Sequence, residues 1–278
     1  MRVAVITIAH GRHAHWAMQR LALTRSRGAD LQVLVAIEDS SFQADAAEPE
    51  LQIVSLGGDP ERLPLAHARN AGATAALAAG AELLVFLDVD CIPAPGLVHG
   101  YHAAAVAERS SGHLLCGPVT YLPAPGPEGY PLDALTAWDD PHDARPAPAP
   151  GQIVLGGPHE LFWSLSFAVD APTWQRIGGF DECYTGYGAE DTDFGQRARR
   201  AGVELAWVGS ARAYHQYHPT ADPPVQHLDD ILRNGALFAK RWGWWPMGGW
   251  LDRFEGLGLV ERDHDGAFHV KTADGTSA

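Results

Sequence analysis

Hydrophobic positions in the first ninety residues come in short unbroken runs. Val3-Ala4-Val5-Ile6-Thr7-Ile8-Ala9, residues 31–37 (LQVLVAI), 51–56 (LQIVSL) and 83–87 (LLVFL) each read as a buried strand. Residues 15–26 show helical spacing and stop before Gly28, and residues 65–79 form an alanine-rich helix closed by Gly80. Strands alternating with helices predict an α/β layer fold with a largely parallel, Rossmann-like sheet. Ligands of such sheets collect at the carboxyl ends of the strands. Those ends carry His10-Gly11-Arg12, Glu38-Asp39 and Asp88-Val89-Asp90, so one crevice is expected to hold Arg12, Glu38 or Asp39, and both aspartates of the triplet. His10 and Arg12 are equally explained as a surface loop.

The pattern loosens after Asp90. Residues 91–101 read as a proline-punctuated turn entering a helix, and 114–121 as one strand. Residues 122–160 are rich in Pro, Gly and Asp, which predicts either a disordered excursion or a partly ordered lid built around Tyr130 and Trp138. A strand beginning near Trp163 with Phe167 in the core, a helix over 192–201, and strands over 203–208 and 211–214 complete the alternation. Trp242-Gly243-Trp244-Trp245 and Trp250 suit packing onto the sheet, a groove lining, or a dimer or peripheral membrane contact. The tail over 271–278 reads as disordered.

With 278 residues and 46% hydrophobic side chains, the chain can bury a sizeable core in one large domain or two small ones. Its net charge of -14 argues against nonspecific nucleic-acid binding and against a polybasic grip on lipid. Cys91, Cys116 and Cys183 have neither paired nor zinc-like spacing and read as reduced thiols of a cytoplasmic protein. No signal-peptide pattern opens the chain, and no apolar run approaches the ~18 residues of a membrane span.

Two motifs carry chemistry. A strand that ends in Asp88 and Asp90, two residues apart, puts both carboxylates on one face. Such an oxygen-rich edge suits Mg2+ or Mn2+. Further on, Gly178-Gly179-Phe180-Asp181-Glu182 precedes Gly186-Tyr187-Gly188-Ala189-Glu190-Asp191-Thr192-Asp193-Phe194. Asp193 reads as a helix-start cap. Glu190 and Asp191 exceed what a cap needs, and a carboxylate there can serve as a general base. There is no phosphate-binding glycine loop of the GxGxxG or P-loop type.

The ordered set of D-x-D, the preceding Ala68-Arg69-Asn70-x-Gly72 and G-G-F-D-E…G-Y-G-x-E-D-T-D-F resembles the GT-A glycosyltransferases, over residues 2–220. It is most similar to the bacterial family-2 type with its galactosyltransferase-like module. The resemblance implies a nucleotide-binding half over 1–100, an acceptor half over 101–220 and a helical, Trp-rich extension over 221–278. It implies a nucleotide-sugar donor, a UDP-sugar first, bridged by Mn2+ or Mg2+, and inversion at the anomeric carbon. Thr7, His10, Arg12, Glu38, Arg69, Asn70, Asp88 and Asp90 would contact the donor. Asp90 would bind the metal with a histidine after a later strand, His215 first and His218 in reserve. Asp191 would be the base, and Glu190, Trp163, Tyr187 and Gly188 would meet the acceptor. The alternatives are a noncatalytic nucleotide-sugar-binding relative and, less well matched, a sugar nucleotidyltransferase.

Overall fold

The structure, a computed structural model, describes residues 1–26, 28–43 and 50–271. The tail past Lys271, expected to be disordered, lies outside the described residues. The chain runs β1 (Val3–Ala9), α1 (His13–Ser26), β2 (Leu31–Ile37), β3 (Leu51–Leu56), α2 (Leu65–Ala78), β4 (Leu83–Leu87), β5 (Cys91–Pro93), α3 (Leu97–Val106), β6 (Leu114–Cys116) and β7 (Val119–Tyr121). It continues through β8 (Ile153–Leu155), β9 (Ser166–Asp170), α4 (Ala171–Ile177), α5 (Glu190–Arg200), β10 (Leu205–Val208) and β11 (Ala213–His215). Helices α6 (Leu228–Trp242) and α7 (Gly248–Gly256) and a hairpin, β12 (Val260–Arg262) and β13 (Phe268–Val270), follow.

The main sheet has the order β3-β2-β1-β4-β9-β6-β10-β8. Strands β3, β2, β1 and β4 are parallel, whereas β9 runs against both β4 and β6, and β8 against β10. Alternation along β1 sends Ala4, Ile6 and Ile8 to one face and Val3 and Val5 to the other. The first face takes α2, α4 and α5, with Phe86, Phe167, Trp174, Phe180 and Phe194 in mutual ring contact. The second takes α3 through Leu97, Val98 and Tyr101. Gly72 sets how closely α2 approaches, because a Cβ there would lie 2.5 Å from Ile6 Cγ2.

The single strand expected over 114–121 is two. It breaks at Gly117-Pro118, so that β6 stays in the main sheet while β7 joins a second sheet, β5-β11-β7. The strand expected from Trp163 begins at Ser166, and the helix expected from Thr192 begins at Glu190. Residues 122–160 are a strap tied to the body. Arg212 holds Asp139 at 2.6 Å and donates to Pro148 O at 3.2 Å, and Tyr217 N–H donates to the Tyr130 hydroxyl at 2.9 Å. Among the described residues no helix is long and apolar enough to cross a membrane.

Candidate active site at the carboxyl edge of the sheet

Strand β4 stops at Leu87, and Asp88-Val89-Asp90 form a turn in which Cys91 N–H donates to Asp88 O at 2.8 Å. The carboxylates therefore do not share a strand face as the spacing suggested, because the turn sends them to different partners. Asp88 Oδ1 accepts from Arg69 Nη2 at 3.0 Å. Asp90 faces two imidazoles, with Oδ1 3.5 Å from His215 Nε2 and Oδ2 3.6 Å from His218 Nε2. Arg12 Nη1 stands 3.9 Å from the same Oδ2. Strand β11 delivers the histidines: His215 is in register with Cys91, and Gln216 N–H donates to Asp90 O at 2.7 Å.

One ligand atom from each of Asp90, His215 and His218 lies within 4.8 Å of the others. Spacing left His218 in reserve, and the fold brings both histidines to the carboxylate. Burial and then the Arg12 charge push His218 below the usual imidazole range, towards the neutral form that binds metals. One carboxylate with two imidazoles fits a cation of intermediate softness such as Mn2+ better than Mg2+, which prefers oxygen throughout.

Arg69 of α2 joins the two motifs. It is buried, reaches Glu190 Oε1 through Nη1 at 3.3 Å, and lies 5.3 Å over the Phe180 ring. Burial opposes its charge, but Asp88, Glu190 and Asp191 more than offset that and keep it protonated. Burial also raises Asp88, against the pull of Arg69. Glu190 is pushed up to about 7, first by burial and then by the Asp191 charge. Asp191 is likewise raised by burial, although its Oδ1 accepts the Thr192 N–H at 2.6 Å. Glu190 thus sits in the range in which a carboxylate can take a proton at neutral pH, with the Asp191 carboxyl raised beside it.

The loop before Glu190 is gripped by α6. Gly186 has φ +72°, and a Cβ there would lie 2.1 Å from Asp230 Oδ2. Tyr187 N–H donates to that oxygen at 3.1 Å. Asn234, fully buried, donates to Thr185 O, Tyr187 O and Gly188 O at 3.0, 3.2 and 3.0 Å. The Tyr187 ring stacks on His227 at 4.4 Å. Asp193 is not a helix cap. Its fully buried Oδ1 accepts from Tyr184 Oη at 3.2 Å and from Arg241 Nη1 and Trp242 Nε1, each at 2.8 Å. Sequence reading missed Asp230 and Asn234. The available signal was an acidic residue and an amide four apart on one face of an otherwise amphipathic helix.

The remaining candidates separate. Thr7 is buried and donates to Gln19 Oε1 at 2.9 Å. It reaches the aspartate turn only through Gln19 Nε2, which donates to Asp88 O at 2.7 Å. His10 bonds Ile37 O at 2.9 Å, and Glu38 accepts Gly58 N–H at 2.6 Å. Of the pair Glu38 and Asp39, it is Asp39 that ties the strand-end turns together, accepting Gly11 N–H at 3.2 Å. Asn70 is spent on structure: it donates to Phe180 O and accepts Phe180 N–H, at 2.9 and 2.8 Å. Trp163 packs against His142 and Arg145. Arg12, Glu38 and Ala189 have φ of 58°, 48° and 72°, strained values for non-glycine residues that gather around this edge.

The fold is the GT-A fold of glycosyltransferases, as the motif set implied. A crystal structure of GalNAc-T7 with UDP, GalNAc and Mn2+ superposes with TM-score 0.57 at 14% identity, over 87% of this chain and 48% of that one. Residues 1–349 of S. aureus TarS superpose with TM-score 0.56 at 12% identity, over 86% and 66%. A family described as the N-terminal domain of galactosyltransferase matches residues 157–219, the stretch that holds Glu190 and Asp191. Validoxylamine A glucosyltransferase of Streptomyces hygroscopicus subsp. jinggangensis (strain 5008) is 31% identical over 159 residues, 51% of this chain and 36% of the relative. The protein of that name from subsp. limoneus is also 31% identical, over 34% of its length. The chain thus spans about a third of the curated relatives it matches.

Proposed function

We propose that the protein is a metal-dependent, inverting glycosyltransferase that moves a sugar from a nucleotide-sugar donor, a UDP-sugar first, to an acceptor hydroxyl. The observation that carries this reading is the joining, through Arg69, of the Asp88–Asp90 turn to the Glu190–Asp191 helix start. The GalNAc-T7 crystal structure contains UDP and Mn2+, which supports a UDP-sugar and Mn2+ in this reading.

Asp90, His215 and His218 would hold a divalent cation, Mn2+ before Mg2+. When bound, it would offset charge developing on the leaving diphosphate. Arg12, 3.9 Å from Asp90 Oδ2, would add a positive charge beside it. Asp88 orients Arg69, and Arg69 fixes Glu190. Asp191 takes the acceptor proton as the hydroxyl attacks the anomeric carbon from the face opposite the leaving group, and a single displacement inverts the configuration. Glu190, protonated or hydrogen bonded near neutrality, holds the acceptor hydroxyl. Residues 1–100 act as the donor half and 101–220 as the acceptor half.

A noncatalytic nucleotide-sugar binder is the second reading. The raised carboxyl pair at Glu190–Asp191 weighs against it, because a mere binder gains nothing from burying two acids side by side. Asp191→Asn separates the readings. Transfer measured with radiolabelled donor is expected to fall about 10²–10⁴-fold with donor affinity retained. Transfer at the wild-type rate removes Asp191 from the role of base.

A further inference from the structure

Three rings make a chain of successive contacts that begins at His215 of the candidate metal site. Tyr121, at the end of β7 and 48% exposed, lies 4.7 Å from the His215 ring. His142, exposed on the strap, stands edge-on to Tyr121 at 6.0 Å, and Trp163 stands edge-on to His142 at 5.0 Å. The sequence marked only Trp163, because Tyr121 and His142 are brought beside it by the strap folding back, with His142 N–H donating to Val119 O at 3.1 Å.

Beneath Trp163 sits Arg145, 7% exposed, between the Trp163 ring at 5.1 Å and the Trp207 ring at 5.2 Å. Among the described residues its guanidinium nitrogens have no oxygen partner, and it faces the two rings and the Cys116 thiol. A cation sandwiched in this way fixes the tryptophan plane from below. Core packing explains Trp207 and the inner face of Trp163. It does not explain the half-exposed Tyr121 and the exposed His142, which continue the ring contacts to His215.

We infer that Tyr121, His142 and Trp163 form a binding strip for an extended saccharide, whose far units stack along the rings while its terminal unit lies at the Glu190–Asp191 end. Aromatic faces take the apolar C–H face of a pyranose, and a fixed row of them selects length over identity. The inference rests on the transferase reading above and narrows the acceptor to an oligosaccharide or a glycan chain.

The test is calorimetric titration of the full chain, first with UDP and Mn2+, then at saturating UDP and Mn2+ with saccharides. The saccharide probes are the methyl glycosides of glucose, galactose and N-acetylglucosamine and their di- and trisaccharides. At least one series should bind ten-fold or more tighter at three units than at one. His142→Ala and Trp163→Ala should each lose most of that gain. His142 is exposed, and among the described residues its ring accepts one hydrogen bond, from Ala144 N–H, so its removal is expected to leave the fold intact even if Trp163→Ala does not fold. UDP binding with no gain in any series, or a gain kept in His142→Ala, overturns the strip alone. No UDP binding at all overturns the donor reading as well.

Discussion

Residues 3–90 and the part of the chain after Cys91 reach order by different means. The first region is four parallel strands: β1, β2 and β4 are buried almost throughout, while β3, expected to be buried, lies at the sheet edge with only Leu51 buried, and α2 is laid close over Gly72. Its cohesion is area removed from water, a term that tolerates many apolar exchanges. The second shares that core through β6, β9 and β10, and its loops and helices are in addition fastened by polar side chains: Asn70 to Phe180, Asn234 to the 185–188 loop, Asp193 to Arg241 and Trp242. The candidate donor edge is therefore mounted on a packed sheet. The candidate base is mounted on a set of hydrogen bonds that only particular residues can make.

Four substitutions sharpen the contrast, from the largest effect to the smallest. In the first region only a cavity does serious harm. Phe86→Ala, emptying a site stacked on Phe167 and Trp174, is expected to cost about 3–5 kcal/mol in denaturant unfolding. A loss below about 1 kcal/mol would contradict the packing account.

Glu190 comes next, and its signature is pH dependence. Its folded pKa of about 7 lies above the ordinary 4.5, so the folded state holds the proton more tightly. The stability this contributes is complete below pH 4.5 and is lost as pH rises through about 7. Glu190→Gln should flatten the decline in unfolding free energy across that window by up to about 3 kcal/mol. An unchanged curve would mean that the carboxyl is ionised throughout.

Asp193→Asn keeps the shape but removes the charge between α5 and α6. A fully buried ion pair costs about 3–5 kcal/mol to break, but Arg241 is 35% exposed and keeps Asp181. The expected loss is about 2 kcal/mol, and the change should reduce transfer by loosening the loop before Glu190. A stability loss with transfer untouched would uncouple α6 from the site. Smallest is Asp170→Ala, which removes the side-chain cap of α4 that accepts Thr173 N–H at 2.8 Å. It should cost about 1 kcal/mol and leave transfer alone.

The same contrast decides what could be read in advance. Runs such as 31–37 and 83–87 coincide with their strands because a doubly buried strand needs nothing but continuous apolar residues. The split at Gly117-Pro118, the β5-β11-β7 sheet and the β12–β13 hairpin were not legible, since each involves strands of only three residues, and β11 pairs with β5 and β7 across long separations. In the candidate site, motif order located Asp88, Asp90, Glu190 and Asp191. It did not show that Asp88 and Asp90 diverge, that His218 joins His215, or that Thr7 and Asn70 are tied up by Gln19 and Phe180. Those outcomes depend on turn geometry and on which neighbour takes a hydrogen bond first, and periodicity carries neither.

The central claim is a metal-dependent nucleotide-sugar site at Asp90, His215 and His218, and thermal unfolding tests it most directly. UDP, GDP and dTDP and their sugars are added with Mn2+ or with EDTA. The account predicts that one nucleotide, UDP first, raises the midpoint by about 5–10 °C at a hundred-fold excess over its dissociation constant, and only with Mn2+ present. An equal rise in EDTA would contradict the metal assignment, and no rise with any nucleotide would contradict the donor site itself.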